Sequence, residues 1–388
     1  MRIQLVSPSF NTGKRLPETP SRALLILGTL AKQNGHDVRI AHLDIEDIDW
    51  SWKPDLVAIT VNTFQVRGAR EVVAKAHNRH AKVVIGGPHA IAWDRRIDGD
   101  VDSIVIGEGE KAWLKTIHSN QVINGIDSIP TPDYDLVDLT KFSGVSPVGA
   151  TPSLAIMASR GCPFECTFCN TPLFWGKQVR YRKPESVLTE ITLLHNKYGI
   201  NEIFFQDDTF NLNHKWAFQI FDWIIASGLN KEMLFKIDCR VNEKLLTDEF
   251  LAKAKEAGVW NIFYGIESGS QYMLDRMKKG ITVAEIKRAI KITREAGIES
   301  QCSFVVGLPG ENLRTLAETQ KLIEDTKPAL YGYCFACPFP GTELDKEVTA
   351  KGYKRQMDYA DYQYGEVYCR TSSLDYKEIA SFKGFSYQ

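Results

Sequence analysis

The stretch "SRGCPFECTFCNTP", residues 159–172, decides the reading of this chain. It crowds Cys162, Cys166 and Cys169 into one glycine- and proline-marked loop, although the whole sequence holds 8 cysteines among 388 residues. The spacing is C-x3-C-x2-C. Zinc sites take four ligands, commonly paired two by two, and no second CxxC or HxxxH lies nearby. Three thiolates on one loop suit a cubane iron–sulfur cluster instead, because three cysteines leave one of four irons free for an outside ligand. Gly161 and Pro163 let the chain wrap tightly, and Phe164 and Phe168 would shield such a group from water.

Outward from the loop, residues 151 to 345 alternate regularly. Strands are expected at "SLAIMAS", "EIFFQDD", "LFKIDCR", "NIFYGIES", "ESQCSFVVG" and "LYGYCFACPF". Helical periodicity falls at about 184–198, 214–227, 247–257, 271–296 and 312–326, the fourth reading as one helix or two. Six βα units predict a barrel or an open three-quarter barrel, with its chemistry at the carboxyl ends of the strands. Those ends carry the cysteine loop, Gln206-Asp207-Asp208, Arg240, Glu267-Ser268 and Gly307-Leu308-Pro309-Gly310-Glu311. The tail from about 345 is tyrosine-rich and weakly periodic.

The first 120 residues alternate in the same way. The strands "RIQLVSPS", "DVRIAHLD", "DLVAITVN", "KVVIGGPHA" and "SIVIGEGE" are short and almost wholly apolar, as in a parallel sheet buried on both faces. Helical patterns cover "PSRALLILGTLAKQNG" and "VRGAREVVAKAHNRH". This order implies an open doubly wound sheet, which binds ligands beyond the carboxyl ends of its strands. There lie Ser7 to Asn11, Thr60 to Gln65, Gly86-Gly87-Pro88-His89 and Gly107-Glu108-Gly109-Glu110. Their glycines either let a large ligand approach the backbone or serve as tight βα turns. Between the halves, residues 121–150 are proline- and aspartate-rich without a period and read as a linker.

Composition supports a two-domain globular protein: 44% hydrophobic and 11% aromatic residues. The net charge of −1 gives no global pull toward nucleic acid or anionic membrane. The N-terminus lacks the apolar core of a signal peptide, and no apolar run approaches the length of a transmembrane segment. A cytoplasmic protein is expected, where thiols stay reduced.

With the loop following the first strand of a βα barrel, the chain resembles the radical S-adenosylmethionine (SAM) superfamily. It is most similar to the superfamily's cobalamin-binding branch, that of the class B radical SAM methylases. The matching stretches are "SRGCPFECTFCN", "FFQDDTFNLN", "CRVNEKLLTDEFLAKAKEAG", "YGIESGSQYMLDRMKKGIT", "FVVGLPGE" and "PFPGTEL", with "GGPHA", "GEGE" and "PTPDYDLVDL" upstream. The resemblance implies an α/β protein. Residues 1–120 would form a Rossmann-like, cobalamin-binding-type sheet, 121–150 a linker, 151–345 a partial (β/α)6 radical SAM barrel, and 346–388 a short C-terminal region.

It also implies a chemistry. A 4Fe-4S cluster on Cys162, Cys166 and Cys169 would bind SAM through its open iron and cleave it to a 5′-deoxyadenosyl radical. Glu267 would bond the ribose hydroxyls with help from Ser268, and Arg240 would pair with the SAM carboxylate. Phe168 would bring its backbone to the adenine, and Gly307 belongs to the apolar wall against it. Gln206 and Asp207 complete the implied SAM contacts. For Glu267, Arg240, Asp207 and Asp208 the plainer alternatives are ion pairs and turn caps.

Cobalamin domains that bind cobalt through histidine carry Asp-x-His-x-x-Gly after the first strand. Here that place reads "SPSFNTGKR". Two readings follow. Either cobalamin binds base-off with no protein histidine on cobalt, or the domain binds no corrin and docks substrate. In the first, contacts would come from Asn11, Thr60, Asn62, Thr63, Gln65, Gly86, Gly87, Pro88, His89, Gly107, Glu108 and Gly109. The reaction implied is methylation of an unactivated carbon from methylcobalamin; cyclisation, rearrangement or oxidation is the alternative outcome. A small molecule, lipid or natural-product intermediate is the expected substrate, and a flavodoxin or ferredoxin the expected reductant. Cys334 and Cys337 form a CxxC, but residues three apart on a strand face opposite ways, which argues against a shared metal. Cys239, Cys302 and Cys369 read as core. Trp175 suits an access path or plain packing. "KQVRYRK" suits an anionic partner or a solvated loop.

Overall fold

A computed structural model describes residues 1–11, 17–145 and 149–382. Part of the "SPSFNTGKR" loop and of the 121–150 linker therefore lies outside the described residues. The chain forms two compact units.

The first unit comprises Met1–Val145, Leu173–Trp175 and Gln356–Tyr364. Its strands are β1 (Arg2–Ser7), β2 (Asp37–His42), β3 (Leu56–Thr60), β4 (Lys82–Gly86) and β5 (Ser103–Ile104). They form one sheet in the order β2-β1-β3-β4-β5, all parallel. Ile3, Leu5, Val57, Val83 and Ile85 are wholly buried, which is why these strands read as continuous apolar runs. Ser21 caps the helix Arg22–Gln33, and that helix and Val66–His77 match the two periodic stretches of the sequence. Strand order reverses between β1 and β3, and there Asn11 N–H donates to Phe64 O at 2.7 Å. Residues 121–145 pack on this unit: Asp133 N–H donates to Thr29 Oγ1 (2.7 Å) and its carboxylate meets Lys32 Nζ (2.6 Å).

The second unit comprises Ser146–Pro172, Gly176–Arg355 and Gly365–Gln388. Its strands are β6 (Ser153–Ile156), β7 (Ser159–Arg160), β8 (Arg180–Tyr181), β9 (Glu202–Phe205), β10 (Leu234–Cys239), β11 (Val259–Glu267), β12 (Glu299–Val306) and β13 (Leu330–Phe335). Six make a curled parallel sheet, β13-β12-β11-β10-β9-β6, while β7 and β8 pair as a short antiparallel ribbon. Its ends do not meet, so this is an open half-barrel of six strands. Helices Pro184–Tyr198, His214–Ser227, Asp248–Glu256, Val283–Glu295 and Leu313–Thr326 fill the expected windows, with Gln271–Arg276 as the extra helix of the fourth. Ile203, Phe205, Ile237, Ile262, Tyr264 and Phe304 face these helices, none more than 1% exposed.

The tail divides. Residues 356–364 belong to the first unit, whereas Val367, Leu374 and Ile379 pack on Val306 and Leu316 of the second. Among the described residues no helix is long and apolar enough to cross a membrane.

Candidate functional site

The cysteine loop leaves the half-barrel at the carboxyl end of β6 through the β7–β8 ribbon. Gly161 has φ +98°, and a Cβ there would strike Gln178 O, so only glycine fits this turn. Cys162 N–H donates to Gly176 O (3.3 Å), closing the loop at its base. Thr167 is held from both sides, donating to Met277 O (3.0 Å) and accepting from Leu344 N–H (2.8 Å). The ribbon is tied back to the sheet by Arg182, whose N–H donates to Ala158 O (2.8 Å) and whose guanidinium meets Glu190 at 2.5 Å.

All three loop cysteines are free and half-buried. Burial pushes the Cys162 and Cys169 thiols up. A thiolate formed there needs a positive partner, and a metal provides one. Thr171 N–H points at Cys169 Sγ (3.4 Å) and Thr209 Oγ1 lies 3.9 Å from Cys162 Sγ. Among the described residues no three His, Cys, Asp or Glu side chains converge on a single-ion site. The donor set fits a multi-iron cluster, in which each thiolate takes its own iron.

Around the loop the half-barrel gathers charge. Arg240 stacks its guanidinium 3.6 Å above the Phe164 ring, bonds Asn242 Oδ1 through Nε (3.0 Å), and reaches Lys279 O. Asn211 holds its backbone, accepting from Arg240 N–H (3.0 Å) and donating to Arg240 O (2.9 Å). Glu267 ends β11 at φ +68°, is 7% exposed, and takes a 2.7 Å ion pair from Lys279 Nζ. Gly265 leaves room for that pair, since a Cβ there would meet both Glu267 Oε1 and Lys279 Nζ. Lys279 Nζ also lies 6.0 Å from the Phe168 ring. Arg240, Glu267, Phe164, Phe168 and the cysteines thus come together, along with Lys279, which the sequence reading did not name. Its only local signal was a basic doublet before Gly280.

The other expected SAM contacts divide. Gln206 is exposed. Asp207 is buried, accepting from Ala158 N–H (3.2 Å) and the Ser159 hydroxyl, and burial raises its carboxyl to about 6. Its oxygens therefore brace the start of the ribbon. Asp208 accepts from Thr171 Oγ1 (2.9 Å). The Ser268 hydroxyl lies 3.2 Å from Thr319 Oγ1. Gly307 (φ +94°) donates its N–H to Glu311 Oε2 (2.5 Å) and accepts from Cys369 Sγ (3.4 Å). Cys337 lies beyond the end of β13.

Glu311 is 1% exposed, and burial raises its carboxyl from 4.5 to about 7. A raised acid stabilises the fold while protonated and loses that contribution as pH climbs from about 4.5 through 7. Glu311→Gln keeps an acceptor for Gly307 but cannot ionise. Its stability relative to wild type should therefore rise across that window, by roughly 3 kcal/mol in all, and stay level above it. Parallel urea titrations at several pH values check this; a pH-independent difference would refute it.

In the first unit the expected residues line the carboxyl edge of the sheet. Asn62 caps the turn after β3 (to Phe64 N–H, 2.9 Å), and Gln65 Nε2 donates to Pro8 O (2.6 Å). Asn11 donates to Tyr359 O (3.1 Å) and Tyr362 O (2.7 Å) and accepts from Arg67 N–H (3.0 Å). Thr63 Oγ1 lies 3.2 Å from His89 Nδ1. His89 is wholly buried, with Tyr359 edge-on at 4.8 Å, and burial lowers its imidazole to about 4. These five side chains knit the loops together. Thr60, Gly86, Gly87, Gly107, Glu108 and Gly109 are half-exposed and Pro88 is exposed. A Cβ on Gly87 (φ +95°) would strike Val61 and Thr60, whereas one on Gly109 would meet nothing within 4 Å. The glycine backbone along this edge, with open space at Gly109, fits a large flat ligand.

Residues 156–323 match the Radical SAM superfamily and residues 8–115 the B12 binding domain. The chain is 31% identical to an uncharacterized methyltransferase of Pyrococcus horikoshii, over 93% of this chain and 86% of that protein. It is 28% identical to the anaerobic magnesium-protoporphyrin IX monomethyl ester cyclase of Cereibacter sphaeroides, over 98% and 68%. Among solved structures, the fold matches the radical SAM methyltransferase TsrM from Kitasatospora setae, with cobalamin and a [4Fe-4S] cluster bound (TM-score 0.70, 18% identity, 90% of this chain and 75% of that one). It also matches the cobalamin-dependent SAM radical enzyme OxsB with aqua-cobalamin (TM-score 0.71, 17% identity, 98% and 60%). With both domains matched in order and a relative this similar along nearly its whole length, the chain belongs to the radical SAM superfamily, as an enzyme of the branch that carries a B12-binding domain.

Proposed function

We propose that this enzyme methylates an unactivated carbon of a small molecule, lipid or natural-product intermediate. It would use a 4Fe-4S cluster, SAM and base-off cobalamin without a histidine on cobalt. The observation that carries the reading is the set of three half-buried free cysteines beside a stacked guanidinium and a buried glutamate, in a chain that also holds a B12-binding domain. When bound, these groups supply a 5′-deoxyadenosyl radical and a transferable methyl group.

The residues do the rest. Cys162, Cys166 and Cys169 hold iron. Arg240, fixed by Phe164 and Asn242, offers a planar donor to the SAM carboxylate. Glu267 accepts ribose hydroxyls while its ion pair with Lys279 holds it in place. Phe164 and Phe168 exclude water. The buried His89 supports a cobalt without a protein imidazole. The reading further takes the enzyme to be cytoplasmic, reduced by a flavodoxin or ferredoxin, and without a nucleic-acid partner.

A second reading keeps the radical chemistry but ends in cyclisation, rearrangement or oxidation; the 28% identity to a cyclase over 98% of the chain favours keeping it. Metal analysis of protein purified without oxygen from cobalamin-fed cells separates them. Methylation expects about four iron and about one cobalt per chain. It also expects S-adenosylhomocysteine formation that depends on cobalamin, with 5′-deoxyadenosine released on adding SAM and dithionite. Iron without cobalt would sink the methylation reading.

A further inference from the structure

Just past the cysteine loop, Leu173–Trp175 belongs to the first unit, although the chain on either side of it belongs to the second. Both flanks of this excursion are tied to cysteines of the loop. Upstream, Thr171 N–H points at Cys169 Sγ (3.4 Å), and the Thr171 hydroxyl donates to Asp208 (2.9 Å). Downstream, Gly176 O accepts from Cys162 N–H (3.3 Å). A Cβ on Gly161 would lie 3.2 Å from that same oxygen, so the return is tight. The residues that carry the thiols therefore set both ends of the excursion.

The excursion is apolar and displayed. Leu173 is exposed, and Phe174 and Trp175 are half-buried, their rings edge-to-face with centroids 4.5 Å apart. Its backbone runs along the glycine edge of the first sheet, where a Cβ on Gly107 would sit 3.5 Å from Phe174 O. Ile106, next to Gly107, is 60% exposed, and Ile91, on the loop after the neighbouring strand β4, is exposed too. Large apolar side chains gathered at one edge, in place of the usual scattered ones, mark a binding surface. The glycine backbone beside them fits a flat ligand, and the B12-binding match over residues 8–115 gives its class. A corrin carries methyl groups around its ring and gains from apolar cover.

We propose that Leu173–Trp175 is a positioning element that couples the two cofactor sites. Phe174 and Trp175 cover the bound corrin, and the cysteines that hold iron fix the ends of the segment that carries them. With iron in place the segment is ordered before the corrin arrives, so binding costs less. Such coupling is reciprocal: if iron tightens the hold on cobalamin, cobalamin tightens the hold on iron by the same factor. The inference deepens the reading of the first unit as a cobalamin site and rests on it.

The test uses the full chain with aquacobalamin as the probe, its binding measured by anaerobic equilibrium dialysis. Wild type, Trp175→Ala and Trp175→Phe are each compared with and without iron, and iron content and a melting curve are recorded for every sample. Iron-free wild type should bind cobalamin roughly five-fold or more weakly than the reconstituted protein. Reconstituted Trp175→Ala should hold its iron yet bind cobalamin about ten-fold more weakly. Removing its iron should then change the affinity less than it does in wild type, because the link is already cut. Trp175→Phe keeps an aromatic ring and should recover most of both effects. A purely structural role for Trp175 would lower the melting temperature and leave the iron dependence intact, which overturns the proposal. So does equal affinity with and without iron in wild type, a comparison that needs no variant to fold. Reconstituted wild type that binds no cobalamin would instead bring down the underlying cobalamin reading, and this proposal with it.

Discussion

Cys166→Ala is expected to empty the protein of its iron and to abolish 5′-deoxyadenosine release, leaving its melting temperature near that of wild type. Two thiolates cannot hold a cubane that already leaves one iron without a protein ligand. The fold loses little, because the backbone contact of Cys166, accepting from Cys169 N–H at 3.1 Å, survives in alanine. Iron assay, chromatography of the SAM products and a melting curve on the same preparation check all three statements. Retention of 5′-deoxyadenosine formation would remove the loop from the chemistry.

Arg182→Met should destabilise the second unit by about 3–5 kcal/mol, because it strips the ion-pair partner from a carboxylate in the interior. Glu190 is 0% exposed and Arg182 7%. The same guanidinium also donates to Met157 O (3.1 Å) and to Ser186 Oγ (3.1 Å), so the strand end that launches the cysteine loop loosens with it. The double variant Arg182→Met, Glu190→Leu should recover much of the loss, since two apolar side chains remove the stranded charge. Urea denaturation of the three proteins gives the answer. A single variant within about 1 kcal/mol of wild type would mean the pair is not structural.

The strands and helices of both units were legible because each repeats a period, apolar runs for strands buried on both faces and helical spacing between them. Pro184 at the start of its helix and Thr282 capping Val283–Glu295 are local signals of the same kind. The cysteine loop was legible from spacing alone. The β7–β8 ribbon was not: strands of two residues carry no period. Nor was the Lys279–Glu267 pair, whose partners lie on separate elements and meet only through the turn after β11. Glu267 was named from its family position, but its left-handed backbone, unusual for a glutamate, is set by tertiary packing. The two halves of the tail were illegible for a different reason. Asn11 bonds a carbonyl 351 positions away, and no local pattern encodes such a partner.

That last contact bears on how the protein is made. The first unit begins at Met1 yet is completed by Gln356–Tyr364, where Arg67 meets Asp361, Arg70 meets Asp358, and Tyr359 covers His89. A ribosome adding about 5–20 residues per second needs on the order of ten seconds or more to travel the roughly two hundred residues between Val145 and that segment. Through that interval the nascent sheet waits with Asn11 and His89 lacking these partners, while the whole half-barrel is translated. The domain encoded first is therefore among the last to be finished, and a gene fragment that stops at the linker yields a sheet without its final piece.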